Sequence, residues 1–147
     1  MAADEAWFRR RLMTELRRQT RCCEYLSSMN RAGVPDVHVV VDGRAYWLEL
    51  KFTSKWPARE QSNALDHRFS APQLSFLRRV TTAGGMGMGI VGFRVDGSSK
   101  ETRVAAFDAR DLADDGTVSR ERLTGTLSLN FMDPDFAAAF VTLLTRS

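Results

Sequence analysis

Two carboxylates and a lysine stand close together in residues 33 to 52, which read GVPDVHVVVDGRAYWLELKF. They are Asp36, Glu49 and Lys51. Carboxylate oxygens are the ligands that Mg²⁺ prefers in proteins, and a lysine beside them can stabilise negative charge on a phosphate. These residue types therefore indicate metal-assisted hydrolysis of a phosphate ester, provided that the fold brings them together.

A β-hairpin is the element that must position the two carboxylates. Residues 37 to 41 and 45 to 52 are rich in β-branched and aromatic side chains, which favour strands. Asp42-Gly43 between them is typical of a two-residue type I′ turn, and such a turn fixes the register of the strands. In that register paired residue numbers sum to 85, so Asp36 lies opposite Glu49.

The charged groups of this hairpin are predicted to share one face. Lys51 follows Glu49 by two residues, so strand alternation places it on the side of both carboxylates. Opposed like charges about 5 Å apart destabilise a strand pair, and a bound divalent cation would offset their repulsion. A solvated surface ion pair is the alternative interpretation. The apolar residues of the second strand point the other way, into a core: Tyr46, Leu48, Leu50 and Phe52.

The pattern Pro35-Asp36 followed by Glu49-Leu50-Lys51 resembles the signature of the PD-(D/E)xK nuclease superfamily. Gly33 before it, and a glutamine in the helix after it, resemble more narrowly the small VRR-NUC and Holliday-junction-resolvase-like branch, which is common in phages. The resemblance covers roughly residues 5 to 95. It implies an α/β fold with a restriction-endonuclease-like core, in which helices flank a mixed central sheet.

The resemblance also implies a role for each matched residue. Asp36, Glu49 and the backbone carbonyl of Leu50 would hold Mg²⁺, for which Mn²⁺ would substitute. Lys51 would position the attacking water or stabilise developing charge. In the resembled family a glutamine early in the next helix commonly faces the active site, and Gln73 occupies the matching position. The alternative is that Gln73 is a first-turn residue without such a role.

A further carboxylate on the first helix often completes the metal pocket in the resembled family. Glu5 is nominated for this position because it lies three residues before the apolar Phe8. Glu15 is a rival on the same stripe, and a simple interaction with the helix dipole is the alternative for Glu5.

The remaining sequence predicts the other elements of this fold. Ser70 begins a helix as its N-cap, and Pro72 suits the first turn. The full set is a helix over 5–21, a short ambiguous strand within 22–28, the hairpin, a helix from 71 to Gly84-Gly85, strands over 90–95 and 103–107 joined at 96–99, an edge strand within 123–129 and a closing helix that starts at Asp133-Pro134 with Phe136 and Phe140 buried.

The chain length of 147 residues suits one domain. We expect a nuclease-like core over residues 5–107 and a C-terminal addition, 108–147, packed on it. No apolar run is long enough to span a bilayer and no signal peptide precedes the fold, so a cytoplasmic protein without a membrane partner is expected, in a bacterium or a phage-infected cell.

Charge is unevenly distributed along the chain. Residues 1–100 hold sixteen Lys and Arg against ten Asp and Glu, whereas residues 101–147 hold five against eight. A basic region around an acidic pocket suits a DNA partner, although an arginine-rich composition would give the same excess. The candidate nucleic-acid contacts lie before the hairpin and in the long loop 53–70 after it: Arg31, Lys55, Trp56, Arg59 and Arg68. Trp56 could instead pack the loop down.

The sequence therefore favours a Mg²⁺-dependent nuclease that hydrolyses DNA phosphodiester bonds, with structure-selective or resolvase-like cleavage and a homodimer or larger assembly as open extensions. The alternative is a nuclease-fold module that binds DNA or a protein without significant cleavage, such as a phage virion or replication accessory component.

Overall fold

The computed structural model describes residues 2–26, 32–95 and 101–146. The predicted turn at residues 96–99 lies outside this part of the chain. In chain order the elements are α1 (Ala2–Gln19), β1 (Cys23–Tyr25), β2 (Val37–Val41), β3 (Arg44–Thr53), α2 (Ala71–Thr82), β4 (Met86–Arg94), β5 (Thr102–Asp108), α3 (Arg120–Gly125), β6 (Ser128–Asn130) and α4 (Phe136–Thr145), with a 3₁₀ turn at Ala109–Asp111 after β5.

The six strands form one sheet in sequence order, β1 to β6. Neighbouring strands are antiparallel except β3 and β4, which are parallel and are joined by a crossover that contains the 54–70 loop and α2. The predicted mixed sheet flanked by helices is confirmed.

The predicted hairpin register is also confirmed. Asp42 and Gly43 both have positive φ angles, 51° and 76°, as a type I′ turn requires. Val41 pairs with Arg44, and the ladder continues without a slip to residues 37 and 48. The turn therefore sets which residues of β3 face which side of the sheet.

Two apolar layers cover the two faces of the sheet. On one face α1 and α4 pack against the strands, and the predicted stripe of Phe8, Leu12 and Leu16 is fully buried there. On the other face α2, α3 and the 54–70 loop bury a second cluster that includes Leu65, Phe69 and Leu74. Although it has no helix or strand, the 54–70 loop is therefore part of the packed structure.

Strand β4 begins earlier than the sequence predicted, at Met86 instead of Ile90. Its first residues, Met-Gly-Met-Gly, have little strand propensity of their own. They pair with β3 from Tyr46 onward, and this parallel neighbour extends the strand.

The predicted edge strand within residues 123–129 is wrong in its first half. Leu123 lies in α3, because the Ser119 hydroxyl accepts a hydrogen bond from the Arg122 N–H and caps a helix there. Only Ser128–Asn130 is a strand, and it pairs with β5. The closing helix begins at Phe136, after a turn in which Oδ1 of Asp133 accepts the N–H of residue 135.

The last strand and helix are joined to α1 through aromatic rings. The ring centroid of Phe131 lies 5.4 Å from that of Trp7, 5.1 Å from that of Phe8 and 5.0 Å from that of Phe136.

None of the helices in residues 2–26, 32–95 and 101–146 is both long and apolar enough to span a bilayer.

Candidate active site

Strand β3 continues past the end of its pairing with β2. The last pair is Val37 with Leu48. If the pairing of β3 with β2 continued, the N–H of Leu50 would face Pro35. It donates instead to Oδ2 of Asp36 at 2.9 Å. The N–H and C=O of one strand residue point to the same side, so the Leu50 carbonyl also faces this edge.

Glu49 and Lys51 lie on the sheet face that α2 covers. Oε2 of Glu49 accepts a hydrogen bond from Nε2 of Gln73 at 3.0 Å and lies 3.8 Å from Nζ of Lys51. Nζ of Lys51 donates to Oε1 of Gln73 at 3.2 Å. Glu49 is only 4% exposed, whereas Lys51 and Gln73 are partly buried.

Gln73 reaches this position because it is part of the N-terminal cap of α2. The Ser70 side chain accepts the Gln73 N–H, and Oε1 of Gln73 accepts the Ser70 N–H at 2.8 Å, which together form a capping box. The same Oε1 atom accepts from Lys51, so its amide nitrogen is left to donate to Glu49. The helix cap therefore fixes the side chains of the site.

The carboxyl group of Glu49 holds its proton more tightly than an ordinary glutamate. Burial, and then the negative charge of Asp36, raise its pKa from 4.5 to about 9, against the opposing effect of Lys51. Oε1 of Glu49 is buried and accepts no hydrogen bond from a donor group of the described residues, whereas a side-chain hydrogen bond with Asp36 contributes to the raised pKa of Glu49. A cation that replaced the Glu49 proton would stabilise the two carboxylates beside each other.

The donor atoms at this edge of the sheet fit a hard divalent cation. Mg²⁺ is commonly held by one or two carboxylates together with waters and substrate phosphates, and the site offers Asp36, Glu49 and the carbonyl of Leu50. Within the described ranges no three His, Cys, Asp or Glu side chains form a cluster that could hold an ion by themselves.

Glu5 lies beside this group, whereas Glu15 lies elsewhere on α1. Glu5 lines a small cavity of about 30 Å³ whose walls include Asp36 and Leu50. Glu15 is ten residues farther along the helix, roughly 15 Å by the helical rise, and pairs with Arg18 at 3.4 Å. Of the two carboxylates that the sequence left open, Glu5 is the one that shares a cavity with Asp36.

Gly33 explains why a glycine precedes Pro35-Asp36. It has a φ angle of +84°, and a Cβ built on it would lie 2.5 Å from the backbone oxygen of Pro72 in the first turn of α2. Only a residue without a side chain allows this close approach. The contact joins the segment that carries Asp36 to the helix that carries Gln73.

We expect Gly33→Ala to destabilise the protein by about 2 to 4 kcal/mol, because a left-handed backbone and a backbone clash add together. Urea denaturation followed by circular dichroism would measure the change in the free energy of unfolding. Gly43→Ala is the matched control, because Gly43 has a similar φ angle and no atom within 4 Å of its added Cβ. Equal losses in the two variants would contradict the role of the Pro72 contact.

The candidate nucleic-acid contacts of the 54–70 loop differ in their exposure to solvent. Lys55, Arg59 and Arg68 are exposed. Trp56 is partly buried; its ring stacks on Phe93 at 5.9 Å, and the guanidinium of residue 120 lies over it at 5.6 Å. The alternative in which Trp56 packs the loop down matches this placement. Arg31 lies outside the described residues.

Two residues near the site were not nominated from the sequence. Phe69 lies with its ring centroid 5.4 Å from Nζ of Lys51, and only the missing side chain of Gly89 makes room for it. Arg9 lines the cavity of Glu5 and Asp36. Arg9 follows Glu5 by four residues on one helix face, and this spacing could have indicated that Arg9 lies near Glu5. No local pattern marks Phe69.

The fold is similar to that of Hjc from Archaeoglobus fulgidus, a Holliday junction resolvase from an archaeal hyperthermophile. The TM-score is 0.55 and the identity 12%, over 92% of this chain and 96% of that one. No protein-family model matches the sequence, and none of the curated proteins does. At this identity the likeness is one of fold, and it confirms the restriction-endonuclease-like core that the sequence predicted.

Proposed function

We propose that this protein is a metal-dependent nuclease that hydrolyses DNA phosphodiester bonds. The observation that carries the proposal is the meeting of Asp36, the backbone of Leu50, and the Glu49–Lys51 pair at an unpaired strand edge. The shared fold with a Holliday junction resolvase supports the proposal by analogy alone, since one fold can carry unrelated functions.

Asp36, Glu49 and the carbonyl of Leu50 are the proposed ligands of Mg²⁺, and Glu5, which lines the same small cavity as Asp36 and Leu50, is proposed to contribute through water. When bound, the ion would act as a Lewis acid that lowers the pKa of water and offsets negative charge on the phosphodiester. Asp36 has a second task, because its carboxylate also replaces the missing strand partner of Leu50.

Lys51 supplies positive charge beside the carboxylates. We propose that its ammonium stabilises the charge that develops on the phosphate oxygens during hydrolysis. Gln73 holds both Lys51 and Glu49 in place through one amide group, and the ring of Phe69 shields the lysine from bulk water. A preorganised charge in such a water-poor site is worth more than the same charge in water.

The finer proposal is a structure-selective nuclease of the VRR-NUC or Holliday-junction-resolvase-like type. It is supported by the likeness of the Gly-Val-Pro-Asp pattern to this branch, and by the close contact through which Gly33 joins that segment to the first turn of α2. Resolution of a junction cuts two strands and so needs two active sites, which is why the proposal includes a homodimer. The protein would act where DNA is present, in the cytoplasm of a bacterium or a phage-infected cell.

The experiment that tests the function is a gel assay on four-way junctions, single strands and duplexes of matched sequence. Each substrate would be incubated with Mg²⁺, with Mn²⁺ and with EDTA. We expect cleavage with either ion, none with EDTA, and preference for the junction. Absence of cleavage of every substrate with both ions would refute the nuclease proposal.

Metal binding itself can be measured without cleavage. An ion that binds only the folded protein stabilises it by RT ln(1 + [L]/Kd), about 1.4 kcal/mol at tenfold excess over Kd. For a domain of this size the melting temperature should rise by about 3 to 6 °C. Melting curves with millimolar Mn²⁺ and with EDTA would show the shift in the parent and none in Glu49→Gln. Superimposed curves for the parent would contradict a metal site at Asp36 and Glu49.

A binding module without cleavage is the second candidate function. It is favoured by one observation: the Gln73 side-chain amide joins Glu49 and Lys51 through two hydrogen bonds. Such a group could serve only to hold α2 on the sheet. The binding module would retain DNA in the gel assay but leave every substrate intact.

A further inference from the structure

We propose that a basic groove along α1 binds the phosphate backbone of the DNA strand next to the cleavage site. The proposal rests on the nuclease function proposed above and adds a path for the substrate. It places that path on α1, whereas the sequence had nominated the segment at Arg31 and the 54–70 loop.

The groove has a volume of about 350 Å³ and lies between α1 and β1. Arg10 and Arg17 are separated by seven residues, so they lie on one face of the helix, two turns apart. Arg9 lies beside them, with its guanidinium 5.0 Å from the ring centroid of Tyr25. Among the described residues no acidic side chain lines the groove, and Glu24, the neighbour of Tyr25, alternates to the opposite face of the sheet.

The groove is continuous with the candidate active site. Arg9 and Tyr25 line both the groove and the small cavity that contains Glu5 and Asp36. A strand whose phosphate lies at Asp36 would therefore extend directly onto α1. Arg9 and Arg17 are eight residues apart, roughly 12 Å along the helix, which corresponds to about three or four nucleotides at 3.4 Å per nucleotide.

Two arginines of the groove, Arg10 and Arg17, lack a paired carboxylate in the part of the chain that the structure describes. The side chains of Arg10 and Arg17 make no ion pair or hydrogen bond within residues 2–26, 32–95 and 101–146, and both are exposed. Five other arginines, by contrast, each lie within 4.0 Å of a carboxylate: Arg18, Arg78, Arg94, Arg103 and Arg110. A polyanion is the ligand that unpaired guanidiniums on one face would attract.

The experiment compares two double variants with equal loss of charge. Arg10→Ala/Arg17→Ala removes the groove cations, and Arg79→Ala/Arg146→Ala removes two exposed arginines that do not line it. Binding of a fluorescent four-way junction would be followed by anisotropy in EDTA from 50 to 400 mM NaCl. Melting curves would verify that all proteins are folded.

We expect the groove variant to bind roughly ten- to hundredfold more weakly at 100 mM salt. The slope of log Kd against log salt should fall by about two relative to the parent, one for each lost phosphate contact. The control should keep the parent slope.

The groove assignment would be overturned if the groove variant and the control had equal slopes while binding of the parent depended steeply on salt. The nuclease proposal would then still stand. A parent that does not bind the junction at any salt concentration would overturn both. If Arg10→Ala/Arg17→Ala lost binding to phosphatidylserine vesicles but kept the DNA affinity of the parent, the groove would be assigned to a lipid surface. That result would also refute the proposal.

Discussion

Asp36→Asn is expected to reduce DNA cleavage by about 10³-fold or more with little change in DNA affinity. Loss of a ligand weakens the Lewis-acid effect of the ion, which is worth several kcal/mol of transition-state stabilisation. Asparagine keeps an oxygen that can accept the Leu50 N–H, so the unpaired edge of β3 should stay satisfied. Single-turnover cleavage of a labelled junction would measure the rate, and anisotropy in EDTA the affinity.

The matched control for Asp36→Asn is Asp42→Asn in the same hairpin. Asp42 is exposed in the type I′ turn, where asparagine suits the positive φ angle as well as aspartate does. The Asp42→Asn change removes the same charge as Asp36→Asn and leaves the residues of the proposed site unchanged. If Asp36→Asn cut DNA as fast as Asp42→Asn, the assignment of Asp36 as a ligand would be wrong.

Glu49→Gln is expected to stabilise the metal-free protein at alkaline pH. The folded state holds the Glu49 proton up to a pKa of about 9, whereas the unfolded chain releases it near 4.5. Between these values the folded state binds more protons than the unfolded one, so the free energy of unfolding falls as pH rises. Glutamine stays neutral at every pH and keeps a carbonyl oxygen for the Gln73 amide, so this loss should disappear.

The expected loss in the parent between pH 5.5 and pH 8 is roughly 2 to 3 kcal/mol. In EDTA the melting temperature should accordingly fall by about 5 to 10 °C more in the parent than in Glu49→Gln over this interval. The exposed Glu60 provides the control, since Glu60→Gln should reproduce the parent curve. Parallel pH profiles for the parent and Glu49→Gln would show that Glu49 is ionised in the folded state.

Much of the fold could be predicted because its signals are local. The Asp42-Gly43 turn alone sets the register that brings residue 36 to the unpaired edge beside Leu50. Ser70 and Pro72 likewise mark the start of α2 within four residues. At such positions the backbone geometry depends on two or three adjacent residues, so the sequence is sufficient.

Other parts depend on contacts that no short segment contains. Gln73 serves the helix cap and the site at once, because α2 packs on the sheet 24 residues away from Glu49 in sequence. Leu123 was predicted to lie in an edge strand, but the Ser119 cap, which lies outside that segment, places it in a helix. The choice between Glu5 and Glu15 needed the direction of α1 relative to β2, which periodicity on one helix cannot give.

The two edges of the sheet are both very short. The edge strands β1 and β6 have three residues each, whereas β3 in the middle has ten. Short edges offer few unpaired backbone groups to another chain, so they resist the sheet-to-sheet joining that leads to aggregation. If two copies form the proposed homodimer, they should therefore associate through side chains of helices and loops, and concentrated solutions should remain clear instead of forming β-rich aggregates.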